Sequence, residues 1–568
     1  MSTIDERRAA LEQRFASWVP QTLDARLDSC AAEFGDRPFV LTDDVTLTYA
    51  DVAEESRRLA DGLVAMGVRP GDRVGMLMAN YPEFVPLKFA IARTGAIGIP
   101  FNYLYQREEL GYVLAQSECS VLITMSGFAG LDYLEMLDGI APGWEGEEMD
   151  RSAVPHLRRV AVFANDGPSR DSAMSLADIG TLGEQNQGAS MDAPHAAGDI
   201  SDMLYTSGST GSPKGVLVTH DAVLRTGYAS ALTRAYEDGR RILFSLPCYH
   251  MFGYVEGILS VMNVGGAVIL LTSFSAEGYF AGIERHRATD ILCVPTMAVA
   301  MVESPARHDA DLSSLNAILC GSAPAPVWLW QKVEQDFGVS EIVTGYGMTE
   351  CGGAMTLTFP EDDLFLTSTT VGRTKIAGSA SASGADTLCI YRTADTATGE
   401  LLPDGEIGEI VSSGPTMMRG YWNKPEETAA TLRGAWVYSG DLGRVGPDGY
   451  LELTGRSKEL YKSGGELVMP KEIEDILAAH DGVSQVFAIG LVDDRWGEIG
   501  CAVIVPVPGA NLTEEAVVAH CKQHLARFKV PRRVVFLDAA ELPTTPTGKV
   551  QKFRLVERFS AALEGAPS

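Results

Sequence analysis

The nine cysteines form no C-x-x-C pair, and most lie in apolar surroundings such as "ILCV" and "ILCG". That pattern suits buried thiols in a reducing cytoplasm better than a disulfide frame or a zinc site. Positive charge is also scarce. Lys and Arg number 46 against 75 Asp and Glu, a formal net charge of −29. Such a chain repels nucleic-acid phosphates and anionic membrane surfaces, so no nucleic-acid partner is expected. Any anionic ligand then needs local lysines, arginines and backbone N–H groups. Long apolar runs are missing too. The best candidate, "GILSVMNVGGAVILLTSF" from Gly257 to Phe274, is cut by Asn263 and the Gly265-Gly266 pair. It reads as buried helix, turn and buried strand, with no stable membrane insertion. The opening "MSTIDERRAALEQRF" carries acids early and has no apolar core. The closing "EGAPS" is neither a prenylation box nor a peroxisomal tripeptide. A cytoplasmic protein is the expectation.

The 568 residues, 46% hydrophobic and 21% charged, are those of an ordinary globular protein with room for two or more domains. From Thr46, helical spacing and short apolar strands alternate through "RVGML" and "AIGIPF". The alternation returns in "RILFSLP", "GGAVILL", "DILCVP" and "AILCGSAP". Short links between such elements predict a mostly parallel α/β sheet. Two stretches read as loops: a polar one from about Gly143 to Gly198, and the low-complexity "GSASASGADT" from Gly378 to Thr387, expected to be exposed or mobile. Past Gly455 the texture changes to a compact α+β pattern. The boundary is placed at Arg456–Lys458, giving a domain of residues 1–455 and a smaller one of 456–568.

Chemistry concentrates in "YTSGSTGSPKGVLVTH", Tyr205 to His220. Hydroxyls and unobstructed glycine N–H groups cradle phosphate, and Lys214 adds a point charge. It is not the ordinary P-loop, because Pro213 precedes the lysine and Gly215 follows it. Further motifs follow in order: "GYGMTE" (Gly345 to Glu350), "YSGDLG" (Tyr438 to Gly443), "GRSKELYKSGGELVMPKEIE" (Gly455 to Glu474) and "PTTPTGKVQK" (Pro543 to Lys552). Together they resemble the adenylate-forming superfamily of acyl-CoA synthetases, peptide-synthetase adenylation domains and luciferases. The resemblance runs from about Phe34 to Arg554. One departure is Ser439, where the family usually has Thr.

The resemblance implies a fold: a large multi-layer α/β N-terminal domain and a small mobile α+β C-terminal domain. It also implies roles. Thr206, Ser207, Gly208, Ser209, Thr210 and Gly211, with Lys214, would hold the β- and γ-phosphates of ATP. Glu350 and the Thr206 hydroxyl would bind Mg²⁺, a hard cation suited to oxygen ligands. Thr349 would touch the α-phosphate. Tyr346, beside Gly347 and Met348, would lie along the adenine, with Gly321-Ser322-Ala323-Pro324 lining the same slot. Asp441 and Arg456 would contact ribose. Lys549, in a glycine-flanked loop, would bridge the acid's carboxylate and the α-phosphate. Tyr249, His250, Gly253, Gly345, Cys351 and Gly352 would form the acyl pocket and thiol tunnel, His250 as its gate. Lys458 is the implied hinge, and rotation there would bring Gly464 and Gly465 to the thiol. The catalytic set is therefore Lys549, Thr206, Lys214, Glu350 and His250.

The implied activity is ATP-dependent: acyl-adenylate formation with release of pyrophosphate, then transfer to CoA. The acid is left open between medium-chain and aromatic, and a homodimer is admitted. Alternatives keep the adenylation and change the nucleophile to a carrier-protein thiol, an amine, or nitrite as in diazotases that resemble acyl-CoA synthetases. A non-catalytic nucleotide-binding regulator is the alternative of another class; Lys549, Glu350 and Asp441 together argue against it. Arg225, Arg234, Arg240, Arg241, Lys458 and Lys462 are expected to supply cations for CoA. His520 and His524, four apart around Cys521, are read as an ordinary amphipathic helix rather than zinc ligands.

Overall fold

The helix Tyr49–Ala65 starts at a reciprocal cap closed by Thr48 and Asp51. Thr48 Oγ1 accepts from the Asp51 N–H at 3.1 Å, and the Asp51 carboxylate accepts from the Thr48 N–H at 2.8 Å. The structure, a computed structural model, describes residues 3–165, 167, 170–191, 193–206, 213–322, 325–381, 385–456, 459–463, 466–493, 496–525, 527–545 and 548–564.

Among those residues the large domain is built on three large sheets, with a two-stranded ribbon of Gly127–Phe128 and Leu131–Asp132 besides. The first runs in the order Arg373–Thr374, Gly353–Leu357, Glu341–Met348, Ala317–Cys320, Asp290–Cys293, Arg241–Phe244, Ala267–Leu270, Pro38–Leu41, Thr46–Thr48. Its middle is parallel: Arg241–Phe244, Asp290–Cys293, Ala317–Cys320 and Glu341–Met348 are joined in that sense. These strands are the apolar runs of the sequence, buried on both faces. The second sheet runs Gly420–Tyr421, Lys214–Thr219, Ile200–Thr206, Ile97–Pro100, Arg73–Leu77, Val121–Met125, Arg159–Phe163. The third is antiparallel, with Gly408–Ser413 beside Trp436–Val445, and Leu451–Arg456 paired to the latter. The small domain carries its own sheet, in which Val483–Asp493 and Gly497–Pro506 form a long antiparallel pair and Arg533–Phe536 lies parallel to the second. Helices Pro470–Ala478, Glu514–His524 and Lys552–Glu564 accompany it. No helix among the described residues is long and apolar enough to cross a membrane, and all nine cysteines are free and buried.

The stretch from Gly143 to Gly198 is not one loop. It holds the strand Arg159–Phe163, parallel to Val121–Met125, and the helix Leu176–Gln185. That helix is capped by Ser175 and Asp178 and packs on Tyr49–Ala65. The glycines that suggest a loop are what let the two backbones approach. A Cβ on Gly183 would lie 1.8 Å from Arg58 O, and one on Gly62 would lie 2.0 Å from Ile179 O. The second expected loop is corrected in part. Gly378–Ala380 is a short 3₁₀ turn with Ala380 buried, and Ser379 Oγ donates to Phe15 O at 2.6 Å. Residues 382–384 lie outside the described residues. Between Gly257 and Phe274 the helix–turn–strand reading matches. The helical part, Phe252–Leu259, has π geometry, a widened turn that often marks functional sites.

Candidate active site

The phosphate-loop strands form a hairpin. Ile200–Thr206 and Lys214–Thr219 run antiparallel with Lys214 opposite Thr206, so both candidate residues stand at the mouth of the connecting loop. Ser207, Gly208, Ser209, Thr210 and Gly211 within that loop lie outside the described residues. The Lys214 ammonium is 5.1 Å from the centre of the Tyr421 ring, and the Tyr421 hydroxyl donates to Glu350 Oε1 at 2.8 Å. Glu350 is only 7% exposed. Burial pushes its carboxyl above the usual range, while the Tyr421 hydrogen bond and the Lys214 charge hold it down. Thr206, Lys214, Tyr421 and Glu350 thus gather at one end of a cleft.

A second hairpin supplies the floor. Glu341–Met348 turns through the 3₁₀ segment Thr349–Cys351 into Gly353–Leu357, with Gly345 opposite Leu357, Tyr346 opposite Thr356 and Met348 opposite Gly353. The turn requires its glycines. Gly352 and Gly353 have φ of +87° and +118°, and a Cβ on Gly347 would lie 2.0 Å from Gly353 O. The Tyr346 hydroxyl donates to Asp441 Oδ2 at 2.6 Å. Asp441 is set by Ser439, whose Oγ accepts from the Asp441 N–H at 3.1 Å and donates to Ile410 O at 2.6 Å. The serine that departs from the family motif therefore still anchors its turn. Arg456 lies opposite Asp441 in the strand pair; its side chain is outside the described residues. Gly321 and Ser322 follow the strand Ala317–Cys320. Ser322 has φ of +74°, a left-handed conformation uncommon for serine and frequent at functional sites. Ala323 and Pro324 are outside the described residues.

The third wall leads to the small domain. Tyr249 packs edge-on to Tyr103, with ring centres 5.2 Å apart. His250 Nδ1 accepts from the Phe252 N–H at 3.2 Å. The π-helix starts at Phe252, whose ring would touch a Cβ on Gly321 at 3.1 Å; a Cβ on Gly253 would lie 2.7 Å from Pro247 O. Burial, then the Lys549 charge, depresses His250 to about 4, so its ring is neutral at physiological pH. Lys549 itself is exposed on the loop after Gly548 (φ +72°), and a Cβ on Gly548 would lie 2.8 Å from Val294 Cγ2. The Lys549 loop of the small domain therefore rests on the large domain, within electrostatic reach of His250.

The model of the AMP-binding enzyme matches residues 27–422, and that of the AMP-binding enzyme C-terminal domain matches residues 472–549. The chain belongs to the AMP-binding enzyme family. Its relatives include a feruloyl-CoA synthase from Amycolatopsis sp, 34% identical over 90% of this chain and 94% of that one. Another is the 3-[(3aS,4S,7aS)-7a-methyl-1,5-dioxo-octahydro-1H-inden-4-yl]propanoyl:CoA ligase of Mycobacterium tuberculosis, 35% identical over 94% of this chain and 99% of that one. Among solved structures, the anthranilate CoA ligase AuaEII in complex with anthranoyl-AMP superposes with a TM-score of 0.82. It is 25% identical and covers 96% of this chain and 99% of that chain. Like these relatives, this AMP-binding enzyme is an AMP-forming acid–CoA ligase that consumes ATP and CoA.

Not every candidate residue faces this cleft. Cys351 points inward: its Sγ is 3.0 Å from Ser412 Oγ, inside a core cluster with Met355 and Leu388. Its thiol is raised to about 12, mainly by burial. Arg234 and Arg240 cannot meet CoA as expected. Both are 1% exposed and bind Asp290 at 2.7 and 2.8 Å, a buried acid on a central strand. Arg225 is engaged by Asp221 at 2.6 Å, and Arg241 donates to His286 O at 2.7 Å. Lys458, Gly464 and Gly465, and the side chain of Lys462, lie outside the described residues. Tyr421 has no counterpart among the sequence candidates. Its partner Glu350 is 71 positions away, and no local pattern links them.

Proposed function

We propose that this ligase activates a ring-bearing carboxylic acid, aromatic or fused alicyclic, in two half-reactions within one cleft. The observation that carries the two-step reading is the Lys549 loop resting on Val294, beside His250, in the cleft that also holds Lys214, Glu350, Tyr346 and Asp441. In the first step the acid's carboxylate attacks the α-phosphorus and pyrophosphate leaves. Negative charge gathers on phosphate oxygens, so catalysis is positioning plus cationic stabilisation. Lys549 draws the carboxylate and α-phosphate together. Lys214, Thr206 and the residues from Ser207 to Gly211 hold the β- and γ-phosphates, and Thr349 touches the α-phosphate. Tyr346, Gly347 and Met348 lie along the adenine with Gly321, Ser322 and Ala323, while Asp441 and Arg456 take the ribose.

Glu350 and Thr206 fit Mg²⁺. A buried carboxylate whose proton affinity is raised by burial gains from a divalent charge, and both donors are hard oxygens. Mg²⁺ would supply charge neutralisation of the triphosphate there. A neutral His250 can gate the acyl pocket without repelling Lys549. The boundary at residues 455 and 456, the hinge at Lys458, the approach of Gly464 and Gly465 to the thiol, and a cytoplasmic location belong to this proposal.

The ring preference is supported by the bare α-carbon of Gly321 facing the Phe252 ring, where a Cβ would lie 3.1 Å from it, a flat surface that suits a planar substrate. It is also supported by relatives named for feruloyl, anthranilate and octahydroindenyl-propanoyl groups. Pyrophosphate release over an acid panel tests it. Cinnamic, benzoic and fused-ring acids should show higher kcat/KM than linear C6–C10 acids; the reverse ranking would overturn it. Adding CoA, holo-carrier protein or nitrite in turn tests the nucleophile, and CoA should accelerate AMP formation.

A further inference from the structure

We infer that Tyr421 is a positioning residue for the ATP end of the site: its hydroxyl fixes the Glu350 carboxylate and its ring seats the Lys214 ammonium. This rests on the reading of Glu350 as a Mg²⁺ ligand. The segment that carries Tyr421 is tied by its backbone to Glu350 and to the strand that begins at Lys214. The Met418 N–H donates to Glu350 O at 2.8 Å. On the other side, the Arg419 N–H donates to Leu217 O at 2.9 Å and the Trp422 N–H to Gly215 O at 2.8 Å. The strand Gly420–Tyr421 is thereby added to the edge of Lys214–Thr219, with Tyr421 opposite Val216. Gly420 makes the approach possible: its φ is +140°, and a Cβ there would lie 3.0 Å from Thr428 Cγ2. Thr428 Oγ1 accepts the Tyr421 N–H at 2.9 Å. Tyr421 is buried and its backbone is fixed on both sides, which sets its ring beside Lys214 and its hydroxyl on Glu350.

The chemistry of the side chain suits the task. A phenol donates to one carboxylate oxygen and fixes the rotation of the group, yet carries no charge. Arginine or lysine in its place would neutralise Glu350 and remove the reason for a cation to bind. The ring face attracts the Lys214 ammonium weakly, at 5.1 Å. The lysine is held near the loop mouth but stays available to phosphate. One side chain thus sets the spacing between the positive and the negative group that together address the triphosphate.

The test is a cycle of Tyr421→Phe, Glu350→Gln and the double variant in the full-length protein. ATP binding is measured by calorimetry across a Mg²⁺ titration without acid, and AMP release from synthetic acyl-adenylate plus CoA is measured separately. Tyr421→Phe should raise the Mg²⁺ midpoint for ATP binding about tenfold, the size of a hydrogen bond to a charged group. It should add nothing in the Glu350→Gln background. The loss should be confined to ATP binding and adenylation. Tyr421→Leu, which also removes the ring, should further weaken ATP binding measured without Mg²⁺. A Mg²⁺ midpoint moved by Glu350→Gln but not by Tyr421→Phe overturns the inference, as do additive effects or equal losses in both half-reactions. If Glu350→Gln leaves the midpoint unmoved, the metal reading falls first and the inference with it.

Discussion

The two halves of the cleft are built differently. On the large domain, the polar residues at the nucleotide end are already bonded to one another. Tyr346 holds Asp441, Ser439 sets Asp441, and Tyr421 holds Glu350 and backs Lys214. On the small domain, among the described side chains, the candidate contribution is Lys549, exposed on a short loop that touches the large domain near Val294. Under the proposed two-step reading, the first half would be a preorganised receptor and the second a reagent delivered to it: moving the small domain would withdraw the lysine without disturbing the receptor.

The sharpest way to break this comparison is Lys549→Ala. Adenylation should fall by about a thousandfold, the scale of removing one preorganised charge from a transition state. Thioester formation from preformed acyl-adenylate should survive. Stopped-flow measurement of each half-reaction checks it; equal loss in both would mean the lysine is not a movable part. Asp441→Asn probes the receptor and should do less. It keeps the shape and loses a charge-assisted acceptor, so the KM for ATP should rise roughly ten- to a hundredfold, about 1–3 kcal/mol. The KM for the acid should barely move. An unchanged ATP KM would remove Asp441 from the nucleotide site.

Legibility in the sequence follows the same division. Strands such as "RVGML" and "AILC" are legible because each is a short apolar run bounded by turn residues, and each is found where read. The candidate nucleotide residues come in ordered motifs of hydroxyl, glycine and carboxylate, and two of those named from separate motifs, Tyr346 and Asp441, are brought into contact. What is not legible depends on partners remote in the chain. Gly180 and Gly183 carry the signal of a loop, yet serve a helix contact with Arg58 and Gly62 more than a hundred positions earlier. Arg234 and Arg240 look like solvated cations until Asp290 appears on a buried strand. Cys351 lies inside a pocket motif, but its orientation is set by Ser412.

A change away from the cleft should separate stability from chemistry. Gly183→Ala puts a methyl group 1.8 Å from Arg58 O, so the two helices must move apart. Overpacking of this kind costs about 1–3 kcal/mol. The melting temperature should fall while kcat/KM per folded molecule stays within about twofold of wild type. A variant with unchanged melting but slowed adenylation would tie this helix pair to the receptor instead.

The smallest predicted effect concerns pH, and it belongs to the receptor half. His220 is 1% exposed, at the end of the phosphate-loop strand, and its Nδ1 accepts the Leu23 N–H at 3.2 Å. Protonation would turn that acceptor into a donor facing another donor. Burial depresses the ring to about 4, and Lys88 adds to this; Asp202 and Asp24 push the other way, and His195 lowers it further. The unfolded chain binds the proton near 6.5. Between these values the unfolded state holds more protons than the folded one, so the stability contributed by the neutral ring is complete above pH 6.5 and shrinks as pH falls toward 4. At pH 5.5 the loss from this residue is on the order of 1 kcal/mol relative to pH 8. His220→Asn keeps an acceptor for Leu23 and removes the titration. Its melting temperature should therefore fall less than that of wild type between pH 8 and 5.5. Parallel melting curves for the two proteins across that range would show that His220 titrates alike folded and unfolded, and the pH dependence would then have to be sought elsewhere in the buried charge network around Lys88 and Asp202.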